Sequence, residues 1–202
     1  MNVYVVGSFA IKLDPGVKQV RTLFAILGLA AALAAAPIKS ISVQETGGRK
    51  ITYSKFEEKV SVVVFVSTRC PISNAFNFRL NALYKEFAAS ARFIVLDPNA
   101  NESLEEIRIH AANMEYDFPV YKDPDNLVAD LLGAKATPDS FVIDRSGSIS
   151  YHGYIEDSPS PQRAKIQGLR LAIEAALQNR PAPLPETHAR GCAIRRSQPS
   201  LR

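Results

Sequence analysis

Tryptophan is absent from the chain, methionine occurs twice, and cysteine occurs only as Cys70 and Cys192. Two cysteines cannot furnish a four-thiolate zinc site, and His110, His152 and His188 lie far apart in sequence. No structural metal and no cofactor is therefore expected. The net charge is only +4 over 202 residues, with basic residues scattered except near the two ends. No basic stripe interleaved with aromatics occurs, so nucleic acid is not an expected partner. The apolar run Leu23 to Ala36 is shorter than the about 20 residues a membrane-spanning helix needs. No internal repeat is present.

What is there begins with that run. Lys18 and Arg21 precede it and alanine crowds its end, the pattern of an export signal from Val17 onward. A cut after Ala34 would satisfy the preference for small residues at Ala32 and Ala34. The stretch before Lys18 is superfluous to such a signal, which fits a start at Val17. If the segment is retained, it anchors the protein to a membrane through residues 22–36. The expected location is thus periplasmic or secreted, where a disulfide can form and persist. The length suits one ordinary domain with appendages. We expect an N-terminal extension over residues 1–36, a folded domain over 37–179, and a proline-rich tail over 180–202 that carries Cys192.

The chain is organised around residues 60–87. Val62 to Val66 is a continuous β-branched and aromatic run, which suits a strand covered on both faces. Pro71 suits a first helical position, and Phe76, Leu80, Leu83 and Phe87 recur at helical spacing as one stripe. Cys70 then falls at or beside a helix N-cap, where free backbone N–H groups favour a nucleophilic thiolate. The bland alternative is a small buried apolar residue. Short strands are expected at Ile41 to Val43 and Ile51 to Tyr53 around Gly47-Gly48, with Phe56 anchoring a polar connector. Arg92 to Asp97 reads as a second buried strand. Ser103 and Glu106 form a capping box for a helix whose inner face is Leu104, Ile107, Ala111 and Met114. Phe118 to Tyr121 is a short strand. A short helix follows with Leu127, Val128, Leu131 and Leu132 inside and Gly133 ending it. Thr137-Pro138 precedes a hairpin of Ser140 to Asp144 and Ile149 to Tyr154. A last helix is expected from about Gln162 to Gln178, with Ile166, Leu169, Ile173 and Leu177 on one face. Pro181, Pro183 and Pro185 make the tail extended. The order implies an α/β domain, parallel strands with helical crossovers finished by an antiparallel hairpin.

Four stretches, STRCPISNAFNFRL, FPVYKDPDNLVADLLGAKATPDSFVIDRSG, SYHGYIEDS and PLPETHARGCAIRR, resemble exported thioredoxin-like proteins of the redoxin type. These belong to the alkyl hydroperoxide reductase/thiol-specific antioxidant superfamily. The resemblance implies a thioredoxin-like fold, a mixed central sheet flanked by helices, here with a C-terminal extended arm. It also implies a cis-proline at Pro138 beside the Cys70 sulfur, presenting a backbone edge to an extended thiol substrate. Cys70 is the expected nucleophile, with Ser67, Pro71, Ser73, Thr137 and Pro138 facing the substrate. Two departures matter. Ser73 stands where thioredoxins carry a second cysteine, so Cys70 cannot resolve a mixed disulfide or sulfenic acid by itself. Ser67 fits the hydroxyl position of a peroxidatic site, but Val63 replaces its proline, and Pro138 falls near the place of its arginine.

Cys192 can supply the missing thiol. The 12 residues from Arg180 reach up to about 37 Å at about 3.1 Å per residue. Three roles stay open: a resolving thiol, a permanent staple, or a link between two chains in a disulfide-bonded homodimer. The functions that follow are a thiol–disulfide oxidoreductase acting on protein or small-molecule thiols and disulfides, a peroxidase acting on hydroperoxides, and a non-catalytic binding module. Around the sulfur, Asn74 can cap the helix and Arg69 can face either the thiol or water. His152 is expected as a surface strand residue, and Glu156 and Asp157 as a solvated loop end.

Overall fold

The structure is a computed structural model and describes residues 36–197. The signal-like segment, the cut after Ala34 and the start at Val17 lie outside the described residues. No helix among the described residues is long and apolar enough to cross a membrane.

Strands β1 (Ser40–Gln44) and β2 (Lys50–Ser54) form an antiparallel hairpin. Strand β3 (Ser61–Phe65) leads through the Cys70 loop to α1 (Pro71–Asn74) and α2 (Asn77–Phe87). Then come β4 (Arg92–Asp97), α3 (Leu104–Asn113), β5 (Val120–Lys122) and α4 (Leu127–Leu132). Strands β6 (Ala136–Thr137), β7 (Asp139–Ile143) and β8 (Ile149–Gly153), helix α5 (Gly168–Leu177) and β9 (Cys192–Ala193) complete the chain.

Seven strands make one sheet in the order β2-β1-β5-β4-β3-β7-β8. β3, β4 and β5 run parallel, β7 returns antiparallel beside β3, and β8 pairs antiparallel with β7 at the sheet edge. β3 lies in the interior of the sheet, and its alternation divides the protein into two cores. Val62 and Val64 join the apolar cluster with Phe76, Leu80, Leu169 and Ile173. Val63 and Phe65 join the opposite cluster with Ile94, Phe141, Val128 and Leu132. A strand buried on both faces must be apolar throughout, and this one is.

Four sequence expectations need correction. The helix after Cys70 comes in two pieces, because the Phe76 N–H bonds back to the Ser73 carbonyl at 3.0 Å. The Ala75 carbonyl at that break takes the Arg79 guanidinium at 2.9 Å. Helix α4 turns Leu127 and Leu131 outward, 62% and 52% exposed, and buries Val128, Ala129 and Leu132. The buried Asp123 carboxylate sets this, accepting the Val128 and Ala129 N–H groups at 2.9 and 2.8 Å. Helix α5 starts at Gly168, since the Lys165 and Ile166 N–H groups are held by the Asp157 carboxylate at 2.8 and 3.1 Å. Met114 is half-buried at the C-cap of α3 rather than in the core. The capping box at Ser103 and Glu106 and the left-handed Gly133 stop are as expected.

Candidate redox site

Cys70 is the N-cap of α1, with Pro71 at the first helical position. Its extended backbone, φ −85° and ψ 115°, turns the sulfur back over the first turn, where it accepts the Ser73 N–H at 3.4 Å. The Ser73 hydroxyl is not aimed at the sulfur; it accepts the Ser67 N–H at 3.1 Å. Asn74 Nδ2 donates to the Thr68 carbonyl at 2.9 Å, closing the loop ahead of the helix.

Across from this turn, the Thr137–Pro138 bond is cis, and the Thr137 carbonyl oxygen lies 3.2 Å from the Cys70 sulfur. Pro138 is buried beside it. The sulfur is covered, however: Cys70 is 2% exposed. The cover is the protein's own tail. Cys192 is disulfide-bonded to Cys70 across 122 residues, with the two Cα atoms 5.9 Å apart. Strand β9 pairs antiparallel with β6, setting Cys192 opposite Thr137 and Ala193 opposite Ala136. In this form neither cysteine is free to link two chains.

The tail is extended, as its prolines imply, but it is fastened along its length. The His152 N–H bonds the Pro185 carbonyl at 3.0 Å, and the Thr187 N–H returns to the His152 carbonyl at 2.9 Å. Past the disulfide, the Ala100 N–H bonds the Arg195 carbonyl at 2.7 Å, and the Arg195 N–H bonds Asn99 Oδ1 at 2.9 Å. Gly191 is required at the crossing, because a Cβ there would overlap the Thr137 carbonyl.

Ser67 does not face the sulfur. Its hydroxyl donates to Glu102 at 2.6 Å and accepts the N–H groups of Arg69 and Cys70 at 3.2 and 3.1 Å. It therefore shapes the loop from behind. Arg69 is turned away as well, into an ion pair with Glu106.

The sequence reasoning missed a buried acid pair behind this loop. Glu102, 3% exposed, also accepts the Thr68 N–H at 2.6 Å. Asp97 ends β4 wholly buried; its Oδ1 accepts the Asn99 N–H at 2.8 Å and lies 3.6 Å from Lys122 Nζ. Burial, then the hydrogen bond and charge of Glu102, push Asp97 up to about 8 against the pull of Lys122. Burial opposes ionisation of Glu102 too, but hydrogen bonds from Asp97, Ser67 and Thr68 outweigh it and hold Glu102 below the usual range. The pair thus shares one proton, carried by Asp97. Its Oδ2 is buried without a hydrogen-bond partner. A signal was available: an acid closing an apolar strand at the carboxyl edge of a parallel sheet, where α/β sites form.

A second missed pair backs the proline. The buried Asp139 carboxylate lies 3.1 Å from His152 Nε2, and the His152 ring stacks on Phe141 at 4.2 Å. The hydrogen bond to Asp139 raises His152 above its ordinary value, so this histidine is more than a surface strand residue. Glu156 is likewise no solvated loop end: it is 9% exposed and paired with Arg79.

A thioredoxin-like sheet with a helix-capping cysteine beside a cis-proline defines a redoxin-type thioredoxin-fold protein. The AhpC/TSA family model matches residues 34–152, more than half of the chain, and the chain belongs to that family. Among solved structures, a hypothetical protein from Sinorhizobium meliloti 1021 is 26% identical with a TM-score of 0.72, covering 81% of this chain and 94% of its own. An uncharacterised conserved protein from Geobacillus kaustophilus is 23% identical with a TM-score of 0.73, over 83% of this chain and 93% of that one. A thiol:disulfide interchange protein of the thioredoxin family from Chlorobium tepidum TLS is 24% identical with a TM-score of 0.56, over 71% and 99%. The last two are likenesses of fold. No curated protein matches the chain.

Proposed function

We propose that the protein is a thiol–disulfide oxidoreductase in which Cys70 attacks and Cys192 resolves. The Cys70 thiolate would attack a substrate disulfide, forming a mixed disulfide and releasing one substrate thiolate. Cys192 would then attack the Cys70 sulfur, release the second substrate thiolate and leave the Cys70–Cys192 disulfide. The observation that carries this reading is the bond itself, which spans 122 residues and sets Cys192 against Thr137. That is the edge where an extended substrate would lie in the reduced protein, so the tail resembles a substrate captured within the chain. The commitments of Ser67 to Glu102 and of Arg69 to Glu106 favour exchange over peroxide reduction, which needs such groups at the sulfur.

An extracytoplasmic site of action suits a cysteine pair that forms a disulfide, and the signal-like composition of residues 17–36 supports it. The test is to react reduced Cys192→Ser with a peptide disulfide and map the adduct by non-reducing mass spectrometry. The expected result is a stable mixed disulfide on Cys70, absent from the unsubstituted chain. Full exchange activity in Cys70→Ser would overturn the reading.

A further inference from the structure

A cleft of about 570 Å³ opens between Pro138 and the first turns after Cys70. Ile72 and Phe76 from the Cys70 helices and Pro138 form part of its apolar lining, and Arg163, His188 and Arg190 stand at its edge. Such a volume suits a small molecule rather than a folded partner. Neither Arg163 nor Arg190 makes an ion pair among the described residues, and both are exposed. The acids on the same wall are already engaged. Glu156 is paired with Arg79, and the Asp157 carboxylate accepts the Lys165 and Ile166 N–H groups. With Glu156 set against Arg79, the two arginines outweigh the one unpaired carboxylate on the wall, that of Asp157. Arg190 lies with His188 on the tail just ahead of Cys192, so this wall is fixed in place while the disulfide is closed.

We propose that this cleft binds an anionic low-molecular-weight thiol, one bearing a carboxylate or sulfonate, as the reductant of the Cys70–Cys192 disulfide. The inference rests on the reading that this disulfide cycles. The reductant thiolate attacks the Cys192 sulfur, forming a bond to it as the Cys70–Cys192 bond breaks. Cys192 is the half-buried partner, whereas Cys70 is 2% exposed. Cys70 leaves as a thiolate, already accepting the Ser73 N–H, and takes up a proton from solvent. The better-stabilised thiolate is the better leaving group. A second reductant thiolate then attacks the mixed disulfide at the reductant sulfur, releasing Cys192 as a thiolate and the reductant as its own disulfide. Two electrons pass from two thiols to the protein. Opening the bond removes the one covalent hold on the tail that carries His188 and Arg190, leaving only its hydrogen bonds to keep that wall in place.

The test uses the full oxidised chain with 2-mercaptoethanesulfonate, 2-mercaptoethanol and cysteamine as anionic, neutral and cationic probes. Each rate of disulfide loss is divided by that thiol's rate with 2-hydroxyethyl disulfide at the same pH, which removes differences in thiol reactivity. The normalised rate for the anion should exceed that for the cation by about two- to fivefold per arginine engaged, the scale of exposed ion pairs. The advantage should shrink with added salt and disappear in Arg163→Ala/Arg190→Ala. Acid-quenched intermediates should carry the thiol on Cys192. Equal normalised rates, or an advantage untouched by the double substitution, would overturn the cleft assignment. An adduct on Cys70 would overturn the direction of attack. A disulfide that none of the three thiols reduces would instead overturn the cycling reading beneath both.

Discussion

Cys192 faces Thr137 across a two-residue antiparallel ladder, while the sulfur it is bonded to lies 3.2 Å from the Thr137 carbonyl oxygen. One residue of the proline loop therefore holds both ends of the disulfide, one through backbone pairing and the other at its sulfur. In the proposed exchange reaction the tail takes the edge a substrate would use, so closure of the disulfide and access to that edge would exclude each other.

Gly191 is the most sensitive point of that contact, since a side chain there meets backbone that cannot yield. Gly191→Ala should leave the reduced protein nearly as stable as before, because the overlap exists only with the tail docked. The oxidised form should suffer. An overpacking cost of about 1–3 kcal/mol makes the disulfide about 5- to 150-fold easier to reduce. Equilibration with dithiothreitol followed by alkylation measures this directly, and an unchanged equilibrium would show that the tail can shift aside.

The acid pair predicts a pH signature. Asp97 binds its proton more tightly folded, at about 8, than unfolded, near the ordinary 3.8. Between those values the native state holds the extra proton, so this group makes stability fall as pH rises from about 4 to about 8. The slope from one group cannot exceed ~1.4 kcal/mol per pH unit. Glu102, held low, acts oppositely and only at the acid end, its contribution fading as pH falls below its unfolded value. Asp97→Asn should therefore flatten the decline between pH 5 and 8 in urea unfolding. A decline that persists in the variant would place its origin elsewhere.

Much of the fold was legible because its signals are local. The wholly apolar β3, the Ser103–Glu106 capping box and Gly133 each declare themselves over a few residues. Cys70 at the N-cap followed from Pro71 and the apolar stripe of α2 in the same way. The failures share a different cause, a polar group whose pairing the apolar pattern does not record. Leu127 and Leu131 face water because a buried Asp123 fixes the phase of α4. Glu156 looked solvated until Arg79 met it across 77 residues. Ser67 was assigned to the substrate, but its hydroxyl is claimed by Glu102, 35 residues on. Single-sequence periodicity carries no information about such partners.

The Asp139–His152 pair can be followed by itself. The hydrogen bond to Asp139 outweighs the burial that would lower His152, so its titration midpoint in proton NMR should lie above 6.5. Asp139→Asn should bring it down. The raised value means that this pair stabilises the fold fully below the unfolded histidine value, and that the contribution is lost as pH rises through the folded one. A midpoint at or below 6.5 in the unsubstituted protein would mean that burial prevails.

The Arg79–Glu156 pair makes the strongest demand on stability. Arg79 is clamped on several sides: it donates to the carbonyls of Ala75, Ser158 and Pro159 at 2.9, 3.1 and 2.6 Å, and its guanidinium stacks 4.2 Å from the Phe76 ring centre. Glu156 supplies the only full negative charge bonded to it among the described residues. Glu156→Gln leaves that half-buried cation against carbonyl dipoles alone. Loss of a buried ion-pair partner costs about 3–5 kcal/mol; the three surviving carbonyl bonds should reduce this to about 1–3 kcal/mol. Replacing both residues, as in Arg79→Met/Glu156→Leu, should cost less than the sum of the single changes, because no charge is then stranded. Urea unfolding of the two single variants and the double completes the cycle. Strict additivity would mean that the pair is held together by the loop around it and contributes nothing of its own.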